Sequence, residues 1–165
     1  MEGDAPTEES RRVSARTSLF ASLESEAELI SIRTMTVKAS RYIDDQELQE
    51  NDPHGDGAFD ITVSWRVGKG EDPGHFAIEV TGELVGLPQG ELELTVQARF
   101  HAPGWSAKEL STELIEQYGA ECGIRILYPF VRQEIMDLSR RVLNGEVLLP
   151  LLLPRVDWVS AEVAD

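Results

Sequence analysis

Three segments of this chain alternate apolar and polar residues with period two. In Phe59-Asp60-Ile61-Thr62-Val63-Ser64-Trp65-Arg66-Val67 every odd position is apolar and every even one polar. Phe76, Ile78, Val80 and Leu84 face one way, with Glu79, Thr81 and Glu83 opposite. Leu92, Leu94, Val96, Ala98 and Phe100 repeat the pattern against Glu91, Glu93, Thr95, Gln97 and Arg99. Side chains on a strand point alternately to its two faces, so such a pattern buries one face and wets the other, as antiparallel sheets do. A fourth segment, Leu29 to Tyr42, alternates less cleanly. Ile30 and Ile32 share one phase, and Met35, Val37 and Ala39 the other. A bulge near Arg33–Thr34 reconciles the two. Gly68-Lys69-Gly70 with Asp72-Pro73-Gly74, and Gly86-Leu87-Pro88-Gln89-Gly90, supply the turns between strands.

The period then changes. Ala107 to Tyr118 sets Leu110, Leu114, Ile115 and Tyr118 at helical spacing, with Ser106 as N-cap. Ile124, Leu127, Val131, Ile135, Leu138 and Val142 form a second, stronger apolar stripe. Pro129 falls in its first turns or kinks it, Arg140 and Arg141 suit its C-terminal dipole, and Asn144-Gly145 ends it. Four strands with one wet face followed by helices predict an α+β two-layer sandwich: a four-stranded antiparallel sheet packed against C-terminal helices.

With 165 residues, one domain is expected over residues 16–165. Residues 1–15, acidic and poor in large apolar side chains, read as a disordered tail. Asp44, Asp45, Glu47, Glu50, Asp52 and Asp56 lie in a stretch without Lys or Arg that reads as a solvated loop. The formal charge is −15, which argues against nucleic acid and anionic lipid alike, since both need a basic face. Val147 to Leu153, broken by Pro150, falls well short of the about 20 apolar residues of a spanning helix. The N-terminus has no apolar core of a secretion signal, and a lone Cys122 excludes an internal disulfide. A cytoplasmic chain that inserts in no membrane is expected.

The search for chemistry finds little, and no enzyme, cofactor or metal is expected. His54, His75 and His101 lack metal spacing. Asp52, Asp56, Gly57 and Asp60 resemble half a calcium loop, but the position needing its final acid is Val63. Gly68-Lys69-Gly70 fits a hairpin turn better than a phosphate loop. Glu109, Glu113 and Glu116 make a solvated helix face. Cys122, without a His or Asn at useful spacing, reads as structural. More unusual is Glu146-Val147-Leu148-Leu149-Pro150-Leu151-Leu152-Leu153-Pro154, an apolar strap held extended by two prolines. It either covers the core or lines a groove in which an extended chain docks.

One stretch resembles a known family. Ile126-Leu127-Tyr128-Pro129-Phe130-Val131-Arg132-Gln133-Glu134 is similar to the aromatic-Pro-aromatic-x-Arg-Glu signature that opens the long helix of the SecB export chaperones. Asn144-Gly145, Leu149-Pro150, Leu151-Leu152-Leu153 and Val156-Asp157-Trp158 follow in the family's order. The resemblance is specific from Ile126 to Trp158 and architectural from Leu29 onward. It implies an ATP-independent holdase that keeps unfolded polypeptides or preproteins from aggregating, assembled as a homotetramer (a dimer of dimers). Tyr128, Phe130, Leu149, Leu151, Leu153 and Trp158 are then the polypeptide-binding residues. Family members dock the SecA motor through acidic residues, some on the first strand. Here Arg33, Lys38 and Arg41 occupy that strand, so an acidic docking face rests on Glu79, Glu83 and Glu93. Some SecB-like proteins instead protect an antitoxin of a toxin–antitoxin system, and the basic strand suits that branch.

Two other classes stay open. A small-ligand-binding domain or enzyme would use Trp65, His75 and His101. A non-chaperone interaction module would use the wet sheet face.

Overall fold

The computed structural model describes residues 8–41, 60–87, 90–143 and 159–160. Helix α1 (Glu8–Glu26) leads into strands β1 (Glu28–Arg41), β2 (Asp60–Lys69), β3 (His75–Leu87) and β4 (Gly90–His101). Helices α2 (Thr112–Tyr118) and α3 (Ile124–Leu138) follow, and a two-residue strand β5 (Val159–Ser160) comes last. The sheet order is β1-β4-β3-β2-β5, antiparallel except for β5, which runs parallel to β2.

The alternating residues do what their spacing predicts. Val63 and Trp65 of β2, Phe76, Ile78, Val80 and Leu84 of β3, and Leu92, Leu94, Val96, Ala98 and Phe100 of β4 are all buried. Against them pack Leu110, Leu114, Ile115 and Tyr118, then Ile124, Leu127, Val131 and Ile135. The result is the expected two-layer α+β sandwich. Its aromatic centre is Phe76 stacked on Phe100 at 5.2 Å, with Tyr118 edge-on to both at 5.4 Å. Burial pushes the Tyr118 hydroxyl up to about 12, with Cys122 and Glu24 adding to the shift. An unfolded tyrosine titrates near ~10, so the folded state keeps a proton that the unfolded chain releases. Stability is therefore expected to fall as pH rises from about 10 toward 12. Urea unfolding at pH 9 and pH 11 checks this, and Tyr118→Phe should flatten the slope.

The bulge predicted near Arg33–Thr34 lies one residue on. The register against β4 shifts between Thr34 and Thr36, making Met35 the extra residue, and again between Leu29 and Ser31 at Ile30. At the far end of the pair, Gly90 has φ 153°, and a Cβ there would lie 1.9 Å from the Ser40 carbonyl oxygen. Only glycine lets the two strands meet there.

Three expectations change. Helix α1 begins at Glu8, inside the stretch assigned to a disordered tail, while residues 1–7 lie outside the described ones. Leu23 anchors it in the core, with Phe20 partly buried beside it. Two apolar residues at the end of a polar segment carry little periodicity, yet one buried turn holds the helix. The helix expected from Ala107 starts instead at Thr112, where the Ser111 hydroxyl accepts from the Leu114 N–H at 3.3 Å. Ser106 does form a reciprocal cap with Glu109, whose oxygen accepts from the Ser106 N–H at 2.8 Å and hydroxyl at 2.7 Å. These bonds hold the Glu109 carboxyl below its ordinary pKa. That turn closes on itself, and the chain restarts as a helix beyond it.

Finally, the two predicted helices are one. Gly119–Gly123 and Ser139–Leu143 are wide π turns that continue the helix from Thr112 to Leu143. The Ile124 N–H reaches back five residues to the Gly119 carbonyl. The two glycines of the first π turn lie against the sheet. A Cβ on Gly119 would meet the Trp65 ring at 2.6 Å, and one on Gly123 would meet Ile78 at 2.3 Å. Pro129 consequently sits in the body of this helix rather than in a first turn, and it has no N–H to donate to the Arg125 carbonyl.

Candidate functional site

Tyr128 and Phe130 are two residues apart on α3, about 200° around a helix of 3.6 residues per turn. They therefore cannot share a face. Tyr128 is 7% exposed and packs inward, where burial pushes its hydroxyl up, while Phe130 is 47% exposed. The sequence had paired them, and the helix separates them. Leu149, Leu151, Leu153 and Trp158 lie outside the described residues.

Several exposed apolar side chains lie on a strand that sequence reasoning did not single out. On β1, Leu29, Ile30, Met35 and Val37 are 45%, 53%, 52% and 46% exposed. In register, Leu29 stands beside Phe100 and Val37 beside Leu94, both core residues. These two β1 side chains thus project on the helical side of the sheet but remain about half exposed. The register shifts at Ile30 and Met35 bring Leu29, Ile32, Val37 and Ala39 to one side of the strand, opposite Phe100, Ala98, Leu94 and Leu92.

The opposite sheet face is polar but not a bare acidic patch. Glu79 is paired with Arg66 and accepts from the Gln97 amide at 2.7 Å. Glu93 is held by Lys38 of β1 at 2.8 Å. Glu83 stands directly beside Glu93 on β3, with no ion pair of its own among the described residues. Exposed pairs of this kind contribute at most about 1 kcal/mol each, but they neutralise the local field. The Thr81 and Thr95 hydroxyls join at 2.9 Å between the two charged rows.

The candidates for a small-ligand pocket do not converge. Trp65 is buried on the helical side, against Gly119. His75 and His101 pair across β3 and β4 on the polar face, their rings stacked at 4.3 Å. The His75 Nδ1 lies 3.1 Å from the Pro73 carbonyl. His54 lies outside the described residues. Among the described residues no three His, Cys, Asp or Glu side chains group as metal ligands, and no helix is long and apolar enough to cross a membrane. Cys122 is partly buried, and its thiol lies 3.7 Å from a Glu24 carboxylate oxygen. Burial, with Glu24 beside it, pushes that thiol up, away from the thiolate a nucleophile needs.

No protein-family model matches the chain, and no curated protein matches it. Solved structures do. The SecB-like chaperone Rv1957 of Mycobacterium tuberculosis, in complex with a ChAD peptide from the Rv1956 HigA1 antitoxin, superposes with a TM-score of 0.64 at 18% identity. The match covers 85% of this chain and 97% of that one. A protein of unknown function from Streptococcus agalactiae matches more loosely, with a TM-score of 0.41 and 13% identity over 76% of this chain and 98% of that one. The four antiparallel strands packed on a C-terminal helix are thus a SecB-like fold.

Proposed function

We propose that this SecB-like chain is an ATP-independent holdase of the cytoplasm, binding unfolded or aggregation-prone polypeptides on apolar surface. The observation that carries the proposal is the near end-to-end likeness to a SecB-like chaperone solved with an antitoxin peptide. Uncovered apolar side chains on β1 and α3 support it, because a holdase works through apolar surface rather than through catalytic groups. A charge of −15 per chain offsets the aggregation hazard of such surface by repulsion between particles.

Polypeptide contacts are assigned to Phe130 and to Leu149, Leu151, Leu153 and Trp158 of the strap. The chain acts as a homotetramer, built as a dimer of dimers, with β1 as the strand at which copies meet.

An antitoxin is the favoured client over an export preprotein. SecA docking would need an acidic sheet face, whereas Glu79 and Glu93 are already paired to Arg66 and Lys38. The deciding experiment is light scattering of a chemically denatured client diluted with and without this protein and without nucleotide. Near-complete suppression at one tetramer per client is expected. No effect at a fivefold excess, from a protein that is strictly monomeric, rejects the proposal. Pull-downs from cells with and without a neighbouring toxin–antitoxin operon separate the two kinds of client.

A further inference from the structure

Where α1 ends, a cleft of about 390 Å³ lies between the helix and the turn that follows β4. That size falls within the roughly 300–1,000 Å³ of pockets that hold small ligands. Leu19, Pro103 and Trp105 give it apolar walls, and Glu26 and Glu109 give it two carboxylates. Leu19 is 46% exposed, so apolar surface at the cleft is left in water. Gly104 bends the chain at φ 82°, and a Cβ there would meet nothing within 4 Å, so the cleft is open on that side.

Both carboxylates are held in place. The Trp105 indole N–H donates to Glu26 at 2.7 Å, and the Ser106 N–H and hydroxyl donate to Glu109 at 2.8 and 2.7 Å. Neither carboxylate has an ion pair among the described residues, and no Lys or Arg is among the residues lining the cleft. The end of α1 adds to the negative field independently. Its last turn carries Glu24 and Glu26 and no base, at the end where the backbone carbonyls form the negative pole of the helix dipole. A cation is favoured there, and the described residues supply none.

We propose that this cleft takes the guanidinium of an arginine on a bound client polypeptide. This rests on the chaperone function proposed above and gives it a contact that reads charge, beside those that read apolar surface. The chemistry of the cleft selects the occupant. A guanidinium pairs with carboxylates through a planar fork of N–H groups, while its plane and its aliphatic stem suit an indole and apolar side chains. A lysine brings the charge without the plane. A neutral apolar side chain would strip water from two carboxylates and return no bond. A metal ion would lack a third ligand, since no three His, Cys, Asp or Glu side chains group as metal ligands among the described residues.

The test is fluorescence anisotropy with the full-length protein and a short, labelled, unstructured peptide that carries one arginine between leucines. A control peptide carries citrulline, which keeps the shape of arginine and loses its charge. The arginine peptide is expected to bind about tenfold more tightly. Glu26→Gln with Glu109→Gln keeps an acceptor for the Trp105 indole and for the Ser106 cap, so Tm should hold within about 2 °C, while the preference falls to about twofold or less. Glu71→Gln with Glu121→Gln removes the same charge elsewhere and should leave the preference near about tenfold. If the cleft double variant does not fold, Glu26→Gln alone, which leaves the Ser106 cap intact, decides by the same ratio. Equal binding of the two peptides to wild type overturns the inference and leaves the chaperone function standing. So does a preference that survives the cleft substitutions, or one that falls equally with the distant ones. A native mass that drops in the cleft variant overturns it in favour of a second copy in the cleft. Failure to bind either peptide overturns it as well, and if denatured clients also go unprotected, the chaperone function falls with it.

Discussion

Replacing Leu29 and Val37 together with aspartate is expected to collapse the proposed tetramer, from a native mass near four times 18.3 kDa to one or two chains. Both residues are about half exposed, so the fold of a single chain should survive the change. They lie roughly 25 Å apart along β1 and share one side of the strand, so the pair charges most of that side. Placing an unpaired carboxylate in an apolar interface costs several kcal/mol, and a symmetric interface repeats the cost in every copy. Light scattering coupled to gel filtration reads the mass, and circular dichroism confirms the fold. A variant that keeps the wild-type mass rules out β1 as the meeting strand. A wild-type chain that is monomeric at micromolar concentration rules out the tetramer.

The second large effect is on stability. Phe100→Ala should destabilise the chain by about 3–5 kcal/mol, since it removes a whole ring from a close-packed interior. Phe100 is fully buried, stacked on Phe76 and met edge-on by Tyr118, and it belongs to β4, an inner strand that pairs with both β1 and β3. For a chain of this size each kcal/mol shifts Tm by about 2–4 °C, so a drop on the order of 10 °C is expected in a thermal scan. The comparison residue is Phe130, 47% exposed on α3. Phe130→Ala should leave Tm within about 2 °C, because exposed substitutions rarely move stability by more than ~0.5 kcal/mol. A Phe100→Ala protein as stable as wild type would mean that the aromatic centre relaxes around the loss.

How much of this was legible beforehand varies by element. β2, β3 and β4 were readable almost residue by residue, because alternation is a property of the strand alone. The helical stripe from Ile124 onward was readable for the same reason, and Ile124, Leu127, Val131 and Ile135 are all buried. Helix α1 was not, since its hold on the body is concentrated at Leu23, Phe20 and the bond from the Trp105 indole to Glu26 at 2.7 Å. Those partners are distant in sequence. The candidate site was legible only in part. The signature around Pro129 grouped Tyr128 with Phe130, which the helical period places on opposite sides. The exposure of Leu29, Ile30, Met35 and Val37 on β1 was not legible because it depends on what packs over that strand. The strap from Leu149 to Trp158, the other half of the expected site, lies outside the described residues.

The sequence by itself determined the layer architecture: which residues of β2, β3 and β4 point to the core, where the period changes to helical, and which chemistries the composition disfavours. These follow from local geometry and charge, which need no knowledge of neighbours. Only the tertiary structure decided what covers each face. It set Gly119 on Trp65 and Gly123 on Ile78, joined two helices into one through a π turn, paired Glu79 and Glu93 with cations, and left Leu29 and Val37 of β1 about half exposed. Burial at those positions depends on which element arrives opposite, a contact between residues far apart in the chain, and no local pattern encodes it.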